Sequence, residues 1–180
     1  MRRLILHIAI SLDGKIARTN GDVDWLDAIP HQEGADYGFY EMYNNIDTTI
    51  QGNKTYQKVL SWDVPFPYKD KKNYVFTTNS KLQDNEDVQF VSENHIEFVK
   101  ELKQQAGKDI WLIGGGQVNA MLLNEKLVDE LQIFIMPITI PDGIPLFGTL
   151  AFDQQYELVS TTSYESGVVG LIYTPRLSKK

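Results

Sequence analysis

Three short stretches combine residue types that can hold a phosphate. Gly52-Asn53-Lys54-Thr55 joins a glycine to a lysine and a hydroxyl, Thr77-Thr78-Asn79-Ser80 offers hydroxyls, and Ile113-Gly114-Gly115-Gly116-Gln117-Val118 offers bare backbone. Glycine takes positive φ without strain and lets another group lie flat against the chain. A helix that starts directly after such a turn presents unpaired N–H groups and the positive end of its dipole, a setting that suits a pyrophosphate. Any one stretch alone reads first as a turn and cap. Three with the same bias point to an extended, phosphate-bearing ligand.

These stretches need strands to place them. Residues 4–10 form a near-continuous apolar run and read as a buried first strand; His7 inside it reads as a packed residue rather than a ligand. The polar, glycine-containing residues 11–24 lead to Trp25, as a surface excursion or as a lid over a pocket. Over 33–45, Phe39, Met42, Tyr43 and then Ile46 recur at helical spacing, with Asp36 and Tyr40 on an adjoining face. Short strands are expected at 48–50, 74–76 and 88–91, and a helix from 52 to 60. Asn94 can cap a further helix with Glu97 three residues on. Residues 109–113 run through the glycine turn into a helix ending near 124. A strand at 130–135 meets Pro137, and the proline-rich 138–147 is expected to cover an edge or pair with a second copy. A hairpin around 165–167 closes the chain. Strands alternating with helices predict an α/β fold in one domain over 1–180: a mixed, mostly parallel twisted sheet flanked by helices, with a C-terminal antiparallel hairpin. Ligands of such sheets bind at the C-terminal strand ends, where all three stretches fall.

The net charge of −7 and pI near 4.9 argue against a general nucleic-acid or membrane-surface binder, which needs a basic face. An anion must then be held by local lysines and backbone amides. With no cysteine, disulfides, thiolate metal sites and cysteine nucleophiles are excluded, and no metal is expected. Neither a signal-peptide pattern nor an apolar run of ~20 residues is visible, so a cytoplasmic location is the expectation. The glycine cluster comes too late for a Rossmann fingerprint, which follows the first strand, and a P-loop is absent.

Taken together, the segments resemble the dihydrofolate reductase superfamily over nearly the whole chain. Ile113 to Val118 is similar to its pyrophosphate turn, Gly52 to Tyr56 to its G-R-x-T-[WY] segment, and Thr77-Thr78-Asn79 to its segment at the adenosine 2′-phosphate. Asp13 to Ile16, followed by Trp25, resembles the loop that closes over the nicotinamide. The resemblance implies NADPH and hydride transfer. It places Ala9, Ile16 and Ala17 along the nicotinamide, and assigns Gly52, Asn53, Lys54, Thr55, Thr77, Thr78, Asn79, Ile113, Gly114, Gly115, Gly116, Gln117 and Val118 to cofactor binding. Counted back from Gly52, Asp36 falls on the family's active-site carboxylate, which binds the pterin ring and assists its protonation. A carboxylate facing a heterocycle can hold a raised pKa; a plain helix-start acid is favoured there by the dipole alone. Asp13 is grouped with Asp36 as catalytic, while Trp25, Tyr40 and Lys71 join Asp36 on the implied substrate side.

Three departures separate the chain from a folate enzyme. The arginine that clamps the folate glutamate is Lys71, which cannot make the planar bidentate pair. A tyrosine near the nicotinamide is Asn119, and the arginine of G-R-x-T is Asn53, leaving Lys54 for the 2′-phosphate. Ser11 to Ala17, and Ile135-Met136-Pro137 ahead of a Gly-Ile-Pro-Leu-Phe stretch, are similar instead to the RibD C-terminal branch of riboflavin biosynthesis. Members of that branch reduce the ribose of a phosphoribosylamino-pyrimidine and are often dimers. The zinc deaminase signature of bifunctional members, H-x-E with P-C-x-x-C, has no counterpart here. The expectation is a stand-alone, homodimeric NADPH-dependent reductase acting on a small heterocyclic, imine or carbonyl substrate. Dihydrofolate reductase-type activity and a catalytically idle NADP-binding protein are the alternatives.

Overall fold

Leu4 and Leu6 on one face of the first strand, and Ile5 on the other, are all but inaccessible, as a strand covered on both sides requires. The computed structural model describes residues 1–30, 34 and 36–176. Its strands are β1 (Leu4–Ser11), β2 (Lys15–Ala17), β3 (Ile46–Gly52), β4 (Lys72–Phe76), β5 (Gln89–Val91), β6 (Asp109–Gly114), β7 (Glu130–Met136), β8 (Ile144–Pro145), β9 (Tyr156–Ser163) and β10 (Val169–Pro175). The helices are α1 (Phe39–Asn45), α2 (Asn53–Leu60), α3 (His95–Gln104) and α4 (Gly116–Asn124). Eight strands form one sheet in the order β5-β4-β3-β6-β1-β7-β10-β9. From β5 to β7 all neighbours are parallel, and β10 and β9 add the antiparallel hairpin. The expected fold class is the one observed.

The main core lies between one sheet face and α3 and α4, where Leu6, Ile50 and Leu112 meet Val99, Leu102 and Leu122. On the other face, α1 packs Met42 against Ile46 and Trp111, and α2 packs Tyr56 and Val59 against Val75. Polar links at the N-terminal rim of the sheet are consumed by structure. Buried Arg2 pairs with Asp47 and donates to Thr48 Oγ1 at 2.6 Å, and buried Lys103 holds Asp129 at 2.5 Å and the Leu127 carbonyl at 2.7 Å. Chemistry is left to the opposite rim.

Three expectations need correction. The first helix begins at Phe39; residues 36–38 form a turn, with φ of +52° at Tyr37 and +77° at Gly38, and residues 31–33 and 35 lie outside the described part. Asn94 precedes α3 but takes φ +52° and makes no side-chain cap bond, so the capping box does not form. Segment 138–147 does not cover an edge of the eight-stranded sheet. It folds onto the loop after β1, with β8 pairing with β2 and the Ile138 carbonyl accepting from Leu12 N–H at 2.8 Å. Leu146 N–H in turn donates to the Gly14 carbonyl at 2.9 Å.

Candidate functional site

Parallel pairing brings the C-terminal ends of β4, β3 and β6 side by side: Gly52 pairs with Phe76, and Gln51 with Gly114. The three phosphate-suited stretches therefore share one rim. From it α2 and α4 both start on a glycine, Gly52 and Gly115, with no side-chain cap. Most helices close their first turn with a Ser, Thr, Asp or Asn oxygen; two neighbouring helices that do not leave a set of N–H groups open. The helix starts touch each other: Thr55 Oγ1 donates to the Gly114 carbonyl at 3.4 Å, and a Cβ on Gly52 would lie 3.1 Å from Val118 Cγ2.

The three glycines have different reasons to be there. A Cβ on Gly114 would lie 2.6 Å from Asn119 Oδ1, and one on Gly116 would lie 2.6 Å from the Pro145 carbonyl oxygen. Packing alone demands both. Gly115 has φ +91°, and its Cβ would meet only Thr55 Oγ1, at 3.0 Å. That one is explained by backbone conformation, and its outer side faces no other part of the chain within contact.

Beside this rim, Lys54 is exposed and makes no ion pair among the described residues. Thr77 is buried; its Oγ1 accepts from Asn79 N–H at 3.0 Å and its own N–H donates to Val91 O. Thr78 and Gln117 are exposed, while Ile113 and Val118 are half-buried. Among the described residues, Asn53 Oδ1 is buried without a partner, as are both ends of the Gln51 amide, which is fully buried. Such orphaned groups are rare. Gln51 was not singled out by sequence; a glutamine between the apolar Ile50 and a glycine turn was the available signal.

Ala17 pairs with Ile144 of the β8 arm, Ala9 lies opposite Phe134 on β7 and packs with the Trp25 cluster, and Ile16 packs against the main core. Asp13 does not stand ready for acid chemistry. It binds Lys15 Nζ at 2.8 Å and accepts from Ile140 N–H at 3.2 Å. Hydrogen bonds from Lys15 first, then Ser11, hold it well below the usual carboxylate range. It staples the loop, and Lys15 Nζ completes the staple on the carbonyls of Ile140 (2.6 Å) and Pro141 (2.9 Å). The following loop reaches α2, where Asp22 pairs with Lys58.

On the implied substrate side, Trp25 is 1% exposed and packed with Phe134, Met136, Ile140 and Val168. It is a buried wall rather than a lid, with its indole N–H unpartnered. Tyr40 is 68% exposed and points its ring edge at Phe39. Lys71 lies 4.1 Å over the Tyr43 ring and 3.0 Å from Asp70, so its charge is already partnered. Asn119 lies under the glycine turn, donating to the Leu146 carbonyl at 3.1 Å. Asp36 accepts from Tyr40 N–H at 2.8 Å and Gly38 N–H at 3.1 Å. The Tyr40 bond, followed by the Gly38 bond against some desolvation, lowers its pKa. A raised value, the signature of a proton donor, is not what this geometry produces. Close by, His7 is half-buried with Nδ1 2.7 Å from Gln132 Oε1, its ring 4.8 Å from Phe134 and 6.0 Å from Phe39. Sequence reading passed it over because the apolar strand around it hid its neighbours.

The family model for the RibD C-terminal domain matches residues 2–170. The uncharacterized protein YwjB of Bacillus subtilis (strain 168) is 36% identical over 93% of this chain and 95% of its own length. A solved protein ascribed to riboflavin biosynthesis in Shewanella sp. PV-4 superposes with TM-score 0.88 at 28% identity, over 97% of this chain and 99% of that one. At 18% identity, two more share the fold. A Thermotoga maritima diaminohydroxyphosphoribosylaminopyrimidine deaminase/5-amino-6-(5-phosphoribosylamino)uracil reductase gives TM-score 0.73 over 97% of this chain and 57% of that one. Enterococcus faecalis dihydrofolate reductase, complexed with NADP(H), gives 0.67 over 97% and 96%. No helix among the described residues is long and apolar enough to cross a membrane.

Proposed function

The chain belongs to the RibD C-terminal domain family, and we propose that it is a stand-alone NADPH-dependent reductase of a small substrate bearing a C=N or C=O bond, of the phosphoribosylamino-pyrimidine kind. The observation that carries this reading is the pair of uncapped helix starts at Gly52 and Gly115 on adjacent strand ends. Two open helix N-termini, an unobstructed backbone at Gly115 and the Thr55 hydroxyl suit a pyrophosphate. Lys54 and the Thr77–Asn79 end suit the extra phosphate that separates NADPH from NADH. Asn53 Oδ1, an acceptor without a donor, suits a ribose hydroxyl rather than a phosphate. When bound, such a cofactor supplies the hydride; the protein holds it, orients the substrate over Ala9 and keeps water out.

Titration of the protein with NADPH and NADH tests the first half of the proposal. NADPH is expected to bind well ahead of NADH, and no NADPH binding at millimolar cofactor sinks it. NADPH oxidation with 5-amino-6-(5-phosphoribosylamino)uracil, with dihydrofolate and with small imines and carbonyls tests the second. Turnover on the order of 1 s⁻¹ or more with any one marks an enzyme. The occupied carboxylate of Asp36 and the partnered charge of Lys71 favour the competing reading of an idle NADP-binding protein, which predicts binding with no turnover on the whole panel.

A further inference from the structure

Reduction of a C=N or C=O bond needs one proton for every hydride, and neither carboxylate implicated by sequence is built to give it. Asp13 is held by Lys15, and both Asp36 oxygens accept backbone N–H bonds. Among the described residues, the imidazole on this side of the sheet is His7. It lies two residues before Ala9 on the same face of β1, about 7 Å along the strand.

A chain of hydrogen bonds determines the ring's state. Arg3 pairs with Glu130 at 2.9 Å, and Gln132 Nε2 donates to Glu130 Oε1 at 2.6 Å. A carboxylate accepts only, so the NH₂ end of Gln132 must face it and Oε1 must face His7. An amide oxygen also accepts only, so at 2.7 Å His7 Nδ1 must be the donor. The neutral ring is thereby fixed as the Nδ1–H tautomer, and Nε2 makes no hydrogen bond among the described residues. We propose that His7 is the group that delivers the proton through Nε2 in the reduction, and that Gln132 and Glu130 are positioning residues that fix its tautomer.

This inference rests on the reductase reading. As the substrate carbon takes the hydride, the π electron pair of C=O or C=N moves onto oxygen or nitrogen. That atom takes the proton from Nε2–H of the imidazolium, giving an alcohol or amine, oxidised cofactor and neutral His7, which recovers a proton from solvent. The charged or titratable groups acting on the ring are Asp36 ahead of α1 and Glu130 through Gln132 on β7; Tyr37 and Tyr164 lie beyond Phe134, which Tyr37 contacts, and Tyr37 bonds Ser166 at 3.1 Å. Burial lowers the His7 pKa, while the Gln132 bond and the Asp36 charge raise it. Asp36 thus supports the imidazolium without itself donating.

Nitrogen-15 NMR of the protein without substrate, above neutral pH, is expected to show the Nδ1–H tautomer at His7. In Gln132→Leu that preference should vanish. With NADPH and 5-amino-6-(5-phosphoribosylamino)uracil, or whichever imine or carbonyl of the panel turns over, kcat should rise as pH falls through the His7 titration. His7→Gln, which can still hydrogen-bond but not titrate, should lower kcat by about 100-fold or more, leave KM little changed and abolish the pH limb. Gln132→Leu should cost about tenfold in kcat. An Nε2–H ring in the wild type, or a folded His7→Gln with the wild-type pH profile, overturns the inference while NADPH binding leaves the parent reading standing. Absence of turnover on the panel with NADPH bound overturns the reductase reading and the proton step with it.

Discussion

Of the three glycines only Gly115 discriminates between a ligand site and a packed turn, and Gly115→Ala makes the distinction quantitative. In Gly114→Ala and Gly116→Ala the new methyl meets protein, Asn119 Oδ1 or the Pro145 carbonyl, at 2.6 Å. Neither neighbour can give cheaply: Asn119 is buried and holds the Leu146 carbonyl, and Pro145 O is backbone of the β8 arm. Those variants would lose stability whatever the site binds. At Gly115 the only neighbour is the Thr55 hydroxyl at 3.0 Å, which can turn away. The cost to the fold is then a backbone conformation, φ +91° with ψ 135°, that is nearly reserved for glycine, roughly 1–3 kcal/mol for an L-residue. At about 2–4 °C per kcal/mol for a domain of this size, Tm should fall by roughly 2–12 °C. The cost to the ligand is separate. A methyl in the path of a phosphate displaces one charge-assisted hydrogen bond, roughly 1.5–3 kcal/mol, or about ten- to a hundredfold in Kd. Differential scanning fluorimetry and a fluorescence titration with NADPH read the two quantities from one preparation. A variant with the expected Tm loss and an unchanged Kd would refute the cofactor site and return the turn to packing alone.

Four further outcomes are expected. Lys54→Ala should weaken NADPH about tenfold and leave NADH unaffected, since one exposed charge-assisted contact is lost; equal losses for both cofactors in the titration would show that Lys54 does not read the 2′-phosphate. Gln51→Met should raise the Tm of the ligand-free protein, because an unpartnered buried amide costs roughly 1–3 kcal/mol, and should weaken NADPH or substrate; a lower Tm would mean that the amide is satisfied. Acid should destabilise in two stages, followed as Tm against pH. His7 has its pKa lowered from 6.5, so the fold prefers the neutral ring and stability falls as pH drops below about 6.5. Asp36, lowered from 3.8, adds a loss only as pH falls through and below that value. His7→Gln should remove the first stage, and its persistence would contradict the lowered His7 pKa. Finally, β9 pairs only with β10 among the described residues, with Leu158 and Val159 more than half exposed. A homodimer through that edge is predicted: sedimentation should give twice the chain mass for wild type and the chain mass for Leu158→Lys.

What could be read from sequence was whatever one strand or one turn decides by itself. Apolar runs such as Leu4–Ser11 and Asp109–Gly114 became central strands because few other structures accept them. The glycine turn and Gly52 were legible because glycine is demanded by local conformation. Partnerships made across the fold were not legible. Nothing local to Trp25 says that Phe134, Met136 and Val168 will enclose it. Likewise, a run holding two prolines gave no hint that two of its residues pair with Lys15–Ala17. Asp36 shows the limit most clearly. Its position was found by counting, but its charge state depends on the N–H groups of Gly38 and Tyr40, and these point at it only because Tyr37 and Gly38 turn left-handed.

The β8 arm gives the two ends of the site a common mechanical frame. Gly116 packs against the Pro145 carbonyl so closely that a Cβ would not fit, and Pro145 pairs with Lys15 in β2. Lys15 and Asp13 are in turn fastened to Ile140 and Pro141. The glycine turn is therefore tied by short backbone contacts to Ile16 and Ala17, the residues that the proposed reading sets at the pyrophosphate and the nicotinamide of one cofactor. A ligand lying along this frame meets groups whose spacing is already fixed, so less of the interaction energy is spent on ordering the protein. Only the loop after Ala17 lacks such ties. It is anchored at its far side by the Asp22–Lys58 ion pair, both partly exposed, and a pair of that kind contributes about 0–1 kcal/mol. On the proposed reductase reading, residues 18–24 are therefore the part of the site held least by the rest of the chain.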